Sequence, residues 1–133
     1  MKRTIVATLF FMLAMPLAAE TPSLFGFSLG MSQEQVIEVI NSEYAGLKYN
    51  VSEEEINFSP DESLYILRFN TVNQLIEIKA YTSTPQPELL KIMKASLGEP
   101  ERLPMMYRWS LYNGLYEASL LANTATLKKS SAE

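Results

Sequence analysis

Five acidic residues lie close together in the middle of this 133-residue chain. Two carboxylates that face one cleft can act as general acid and general base, as they do in glycosidases. Carboxylates spaced along a rigid loop can instead bind Ca²⁺. Three of these residues are consecutive and lack that spacing, so we expect a solvated acidic segment. The five residues are Glu53, Glu54, Glu55, Asp61 and Glu62.

Several residue types that catalysis usually needs are missing. The chain contains no histidine and no cysteine, and Asp61 is its only aspartate. The usual general base near neutral pH and a thiolate nucleophile or metal ligand are therefore excluded. No glycine-rich loop matches a phosphate-binding motif. The sequence predicts a protein that is not an enzyme and holds no cofactor or metal, with a carboxylate-dependent hydrolase as the remaining enzymatic alternative.

The strongest candidate for a binding surface is a predicted β-hairpin of residues 64–69 and 75–82, joined by a five-residue loop. Strict alternation puts Leu64, Ile66, Ile76, Ile78 and Ala80 on one face. The opposite face then holds Tyr65, Leu67, Phe69, Leu75 and Tyr81, together with Glu77 and Lys79. One apolar face must pack on the helices. The other is either covered by another segment or open to a partner, which Tyr65, Leu67, Phe69 and Tyr81 would contact.

Two helices are predicted to support this hairpin. Ser32 followed by Gln35 is typical of a capping box and begins a helix over residues 33–43. A second helix is predicted over 86–97, where Thr84 can cap the start and Gly98 ends it. The predicted core consists of Val36, Ile40, Ile66, Ile76, Ile78, Leu89, Met93, Leu97, Trp109, Ala118 and Leu120.

Asn113-Gly114 predicts a second hairpin, because this dipeptide favours the positive φ angles of a two-residue type I′ turn. The register then places Ser110 opposite Glu117 and Arg108 opposite Ser119. Shorter alternating runs around Tyr49 and Ile56 predict two further strands. From residue 124 the chain becomes small and polar, which predicts a flexible tail over 124–133.

The N-terminus has the pattern of a secretory signal. Lys2 and Arg3 precede an apolar stretch of about 13 residues, which is shorter than the roughly 20 that span a membrane. Small residues follow at Ala18 and Ala19, and we expect cleavage near Ala19. The sequence therefore predicts a signal peptide over 1–19 and one domain over 20–123, located in the periplasm or secreted.

Charge limits the class of partner. The chain has 11 basic and 15 acidic residues; without Lys2 and Arg3, which lie in the predicted signal, 9 basic residues remain, a net charge of −6. Nucleic acid and anionic membrane surfaces need a basic face, so we expect neither as a partner. We also expect no lipid anchor, because there is no cysteine to carry one.

Three segments resemble the SmpA/OmlA outer-membrane-assembly proteins and, more widely, domains similar to the beta-lactamase-inhibitor protein. The first is Gly30-Met31-Ser32 with the helix that follows, the second is 64–70 followed by Leu75 and Ile78, and the third is 97–100 followed by Tyr107 and Trp109. The resemblance implies an exported α+β binding module that contacts a protein at or beyond the inner membrane.

Taken together, the sequence predicts an α+β fold in which two helices pack on one face of an antiparallel sheet of about five or six strands. The predicted function is a non-enzymatic protein-binding module, of the envelope-assembly or inhibitor type, whose partner is another envelope or exported protein. A small-molecule-binding domain with a pocket between sheet and helices is the alternative.

Overall fold

The computed structural model describes residues 21–130. They form an α+β fold with two helices, a small two-stranded hairpin and a large antiparallel sheet. The predicted signal peptide over 1–19 lies outside the described residues. Between residues 21 and 130, no helix is long and apolar enough to cross a membrane.

The large sheet has eight strands in the order β3-β4-β5-β6-β10-β9-β8-β7, and β1 and β2 form the separate hairpin. The helices are α1, Gln33–Glu43, and α2, Gln86–Leu97. The strands are β1, Ser23–Leu24; β2, Phe27–Ser28; β3, Tyr49–Val51; β4, Glu55–Phe58; β5, Leu64–Phe69; β6, Leu75–Tyr81; β7, Glu101–Arg102; β8, Tyr107–Leu111; β9, Tyr116–Leu121; and β10, Thr124–Lys129. The expected five or six strands were too few, because β1, β2, β7 and β10 were not predicted.

Helix α1 has the predicted bounds and the predicted start. The backbone N–H of Gln35 donates to Ser32 Oγ at 3.2 Å, and the Ser32 N–H donates to Gln35 Oε1 at 3.0 Å. This reciprocal pair is the predicted capping box. Val36 and Ile40 then lie one turn apart on the buried side of the helix.

Helix α2 also has the predicted bounds, but Thr84 does not cap it. The N-cap is Pro85, which has no side-chain hydrogen bond to offer. The helix ends at Gly98, whose φ of +93° is unfavourable for residues with a Cβ. Trp109 Nε1 donates to the Gly98 carbonyl at 2.8 Å, which ties the end of α2 to β8.

The Asn113-Gly114 hairpin is confirmed in type and register. Both residues have positive φ, and the Leu115 N–H donates to the Tyr112 carbonyl at 3.2 Å. Ser110 lies opposite Glu117 as predicted. The bulky apolar side chains of this hairpin therefore share the inner face of the sheet.

A β-bulge in β6 changes the predicted faces of the hairpin formed by β5 and β6. Phe69 lies opposite Leu75, as strict alternation requires, but Arg68 lies opposite Glu77. Ile76 is the extra residue, and everything after it in β6 turns to the other face. The inner face therefore combines Tyr65, Leu67 and Phe69 with Leu75, Ile78 and Ala80.

The prediction of a flexible tail over 124–133 is wrong for residues 124–129. They form β10, which pairs with β6 on one side and β9 on the other. Ala125 and Leu127 are fully buried on the inner face. Residues 131–133 lie outside the described part of the chain.

One core fills the space between the inner sheet face, both helices and the β1–β2 hairpin. Eight of the eleven predicted core residues are buried, whereas Ile66, Ile76 and Leu97 are only partly buried. Ile66 lies on the outer face and Ile76 is the bulge residue. The outer face of the sheet consists of exposed and partly exposed residues.

Candidate functional site

Three of the four residues predicted to contact a partner are buried. Tyr65, Leu67 and Phe69 are 9%, 0% and 3% exposed, and all three belong to the core. Tyr81, the fourth predicted residue, is 44% exposed and lies on the opposite face of the sheet. The bulge at Ile76 causes this separation, because it shifts Tyr81 away from the face that Phe69 occupies. The face that carries Tyr65, Leu67 and Phe69 is therefore covered by other segments of the chain and is not open to a partner.

Tyr81 instead belongs to a line of neighbouring side chains on the outer face. Leu64 lies opposite Tyr81, Tyr81 opposite Thr124, and Thr124 opposite Leu121. Leu64, Tyr81 and Leu121 are 37%, 44% and 48% exposed. We call these four residues the apolar row. They cross four strands at one end of the sheet, and large apolar side chains exposed together are typical of interaction sites.

Charged residues of alternating sign cross the outer face at the other end of the same strands. Register places Glu55 opposite Arg68, Arg68 opposite Glu77, Glu77 opposite Lys128, and Lys128 opposite Glu117. Arg68 Nε lies 2.6 Å from Glu77 Oε1. Opposite charges that face each other across strands stabilise one register over a slipped one. We therefore interpret this charge ladder as a structural feature.

The five acidic residues of the sequence do not share a cleft. Glu53 and Glu54 are exposed in the turn before β4, and Glu55 belongs to the charge ladder. Asp61 and Glu62 are exposed in the turn that follows the other end of β4. Within residues 21–130, no group of three or more potential metal ligands comes together. This arrangement gives no support to a paired-carboxylate mechanism.

A groove of about 430 Å³ lies between α1 and the two loops at the apolar-row end of the sheet. Its walls come from three parts of the chain: Glu43, Tyr44, Ala45 and Leu47 at and after the end of α1, then Pro60, Asp61, Ser63 and Tyr65, and finally Ser83 and Thr84. Tyr44 and Tyr65 form its aromatic wall, and their ring centroids are 6.0 Å apart. The sequence does not predict this site, because its three parts are remote from one another in the chain and no motif marks them.

The two tyrosines are held firmly. Tyr44 Oη donates to the Phe25 carbonyl at 3.1 Å, and its ring meets Phe58 edge-on at 5.0 Å. Burial raises the pKa of Tyr44; a hydrogen bond with Tyr65 opposes this rise, and the charge of Glu43 adds to it. Burial also raises the pKa of Tyr65 well above its ordinary value, with smaller contributions from Tyr44 and Asp61. Both phenols therefore stay neutral at physiological pH, with a carboxylate close to each.

The turn beside the groove is strained. The Ser63 N–H donates to the Pro60 carbonyl at 2.8 Å, and the two residues between them, Asp61 and Glu62, have φ of +48° and +65°. These are the left-handed angles that asparagine and glycine adopt readily and glutamate does not. A hairpin turn of this type that lacks glycine is less stable than one that contains it. Backbone strain of this kind often occurs at functional sites.

We expect Glu62→Gly to raise the free energy of unfolding by about 0.5–1 kcal/mol, since relief of the left-handed strain exceeds the entropy cost of glycine. Urea unfolding measures the change. Glu62→Gln is the matched control, because it removes the charge but keeps the Cβ, and it should leave stability unchanged. Equal effects of the two variants would show that charge, rather than backbone strain, governs this turn.

Comparison with known proteins adds little to the site. No family model matches the chain, and no curated protein matches it. Among solved structures, the chain is similar to the crystal structure of a DUF4309 family protein, YjgB, from Bacillus subtilis. The identity is 13%, the match covers 84% of each chain, and the TM-score is 0.43.

Proposed function

We propose that this chain is an exported, non-enzymatic protein-binding domain that contacts its partner through the apolar row. The compartment is the periplasm or the cell exterior, and the partner is another envelope or exported protein. The N-terminal signal pattern supports export, and the resemblance to SmpA/OmlA-like domains supports an envelope-assembly or inhibitor role.

The observation that carries the proposal is the exposure of Leu64, Tyr81 and Leu121 in one row on the outer sheet face, with Thr124 between Tyr81 and Leu121. Water contact with such a group costs free energy that a partner recovers by covering it, at about 25 cal/mol per Å² of apolar area. Tyrosine is also enriched where proteins bind proteins, because its ring packs while its hydroxyl stays solvated. The charge ladder lies on the same face at the other end of these strands, so it does not interrupt the row.

The groove fits the same function better than it fits a small-molecule site. Small-molecule sites are mostly apolar and enclose most of their ligand. This groove is open to solvent, and carboxylate, hydroxyl and phenol groups line it. An open polar groove beside an apolar row suits a protein that contributes side chains to both.

The double variant Tyr81→Ser/Leu121→Ser tests the proposal. We expect it to lower the amount of partner captured from an envelope extract by about tenfold or more, because central aromatic and aliphatic contacts dominate binding energy. The immobilised bait is the domain without residues 1–19, and the captured proteins are identified and then tested pairwise with the purified domain. The thermal unfolding temperature should stay unchanged, because both side chains are exposed.

The matched control is Val72→Ser/Met105→Ser. These side chains are 67% and 76% exposed in other loops, so this variant removes apolar surface of the same kind elsewhere. It should capture the partner as the wild type does. Equal loss in both double variants, or full capture by the apolar-row variant, would contradict the proposal.

A further inference from the structure

The outer face of the large sheet is open across its central strands. Both helices pack against the inner face, and the outer-facing residues are exposed or partly exposed. They form three rows that cross the strands in the order β4, β5, β6, β10, β9 and β8. The apolar row is the first and the charge ladder is the third. The middle row consists of Asn57, Ile66, Lys79, Thr126, Ser119 and Arg108.

The strand order makes this face nearly symmetric about the line between β6 and β10. A twofold axis along that line, parallel to the strands, lays a second copy over the first. It places β6 over β10 of the second copy, β5 over β9, and each row over the same row. Two sheets stack in this way about 10 Å apart with their strands roughly aligned. A twofold contact is also closed, so it gives a dimer and not a fibre.

The charge ladder, whose neighbours pair within the chain, is also complementary to itself under this twofold operation. Arg68 lies over Glu117 of the second copy, and Glu77 lies over Lys128 of the second copy. The axis repeats both pairs, so each of these charges meets an opposite charge. The two basic residues of the middle row lie over a threonine and an asparagine, so like charges do not face each other there. Complementary charges of this kind fix the partner and its orientation more than they raise the affinity.

The apolar row matches itself in the same arrangement. Leu64 lies over Leu121 of the second copy, and Tyr81 lies over Thr124 of the second copy. A twofold axis across the strands would instead lay the apolar row over the charge ladder and bury charges against apolar side chains. We propose that two copies of this domain pack their outer sheet faces together about the axis between β6 and β10. The apolar row is the contact surface of the proposed function, so the dimer rests on that function, and the second copy covers the row until another partner displaces it.

The size of the contact fits a weak dimer. The six strands from β4 to β8 span about 29 Å at their usual spacing of about 4.8 Å, and six residues of strand extend about 20 Å. The face therefore covers about 600 Å² on each copy, or about 1,200 Å² in the dimer, which is the lower limit for a stable interface. We expect a dimer Kd of about 10 µM, because contacts of this size bind weakly unless they contain strong central anchors.

Charge reversal tests the dimer in a way that separates association from folding. Sedimentation velocity of the purified domain without residues 1–19, at about 1–300 µM, should show the wild-type dimer forming as the concentration rises. Arg68→Glu should raise the dimer Kd about tenfold or more, because like charges then meet at both symmetric positions. Glu117→Arg should do the same. An equimolar mixture of the two variants should dimerise like the wild type, because each reversed charge then meets an opposite one.

The matched control is Lys94→Glu, which reverses an ion-paired base away from the outer face. Lys94 lies on α2, and its Nζ is 3.6 Å from Glu99 Oε1. The dimer Kd of this variant should equal that of the wild type. Thermal unfolding shows whether each variant folds, and mixing could not restore a dimer of unfolded chains. A wild type that stays monomeric throughout, charge reversals without effect, or a mixture that fails to associate would overturn the proposal.

The dimer and the proposed function can fail separately. Tyr81→Ser/Leu121→Ser removes apolar contacts from the dimer and should also raise its Kd about tenfold. If the wild type stays monomeric while this variant loses a partner from the envelope extract, the dimer is wrong and the proposed function stands. If the variant weakens the dimer but captures the partner as the wild type does, the proposed function is wrong and the dimer stands.

Discussion

A chain that stops after Asn123 should not fold. Strand β10 lies between β6 and β9, and its removal would leave two strands without their hydrogen-bonded neighbour and the core without Ala125 and Leu127. The lost ladder and the exposed core exceed the stability of about 5–15 kcal/mol that a small domain has. Circular dichroism should show no cooperative thermal transition in the truncated protein.

Two further measurements test whether the absence of β10 itself prevents the truncated protein from folding. Lys128→Gln changes an exposed residue of the strand and should alter the free energy of unfolding by no more than about 0.5 kcal/mol. A synthetic peptide of residues 123–130, added in trans, should restore a cooperative transition by occupying the gap between β6 and β9. A truncated protein that unfolds like the full chain would contradict the central position of β10.

Phe69→Ser should lower the free energy of unfolding by about 3–5 kcal/mol. Phe69 is 3% exposed and packs on the inner face opposite Leu75, so the change opens a cavity and buries a hydroxyl. Urea unfolding of the purified domain measures the effect. The same substitution would be tolerated if Phe69 lay on a partner surface, as one interpretation of the sequence proposed.

Tyr81→Ser is the matched control for Phe69→Ser, because it removes an aromatic ring from the neighbouring strand on the opposite face. Its cost should stay within about 0.5 kcal/mol, as at most exposed positions. Similar losses in the two variants would mean that Phe69 and Tyr81 do not lie on opposite faces of the sheet.

The parts of the fold that the sequence predicted correctly have local signals. Ser32 and Gln35 begin α1 through contacts that span three residues, and Asn113-Gly114 sets its hairpin through two. The bulge at Ile76 has no such signal, because isoleucine is an ordinary strand residue and its neighbours alternate normally. One unmarked residue was therefore enough to assign Tyr65, Leu67 and Phe69 to the wrong neighbours.

Long-range pairing explains the other failures. Residues 124–129 alternate as Thr, Ala, Thr, Leu, Lys, Lys, which is a weak pattern next to that of Leu64–Phe69. Their place in the centre of the sheet depends on β6, which lies more than 40 residues earlier in the chain. The groove could not be predicted for a similar reason, since the end of α1, the turn at Asp61 and the loop at Ser83 meet only in the folded domain.

The order of strands in the sheet also determines when this domain can complete its folding. Strands β3 to β6 form one meander, in which each strand pairs with the next in sequence, and β7 to β9 form another. Strand β10 pairs with β6 and β9 and so joins the two meanders. A chain that emerges N-terminus first from a ribosome can form each meander early but cannot join the two until Thr124–Lys129 has emerged. Until that moment β6 and β9 offer open edges, at which a strand of another chain can pair.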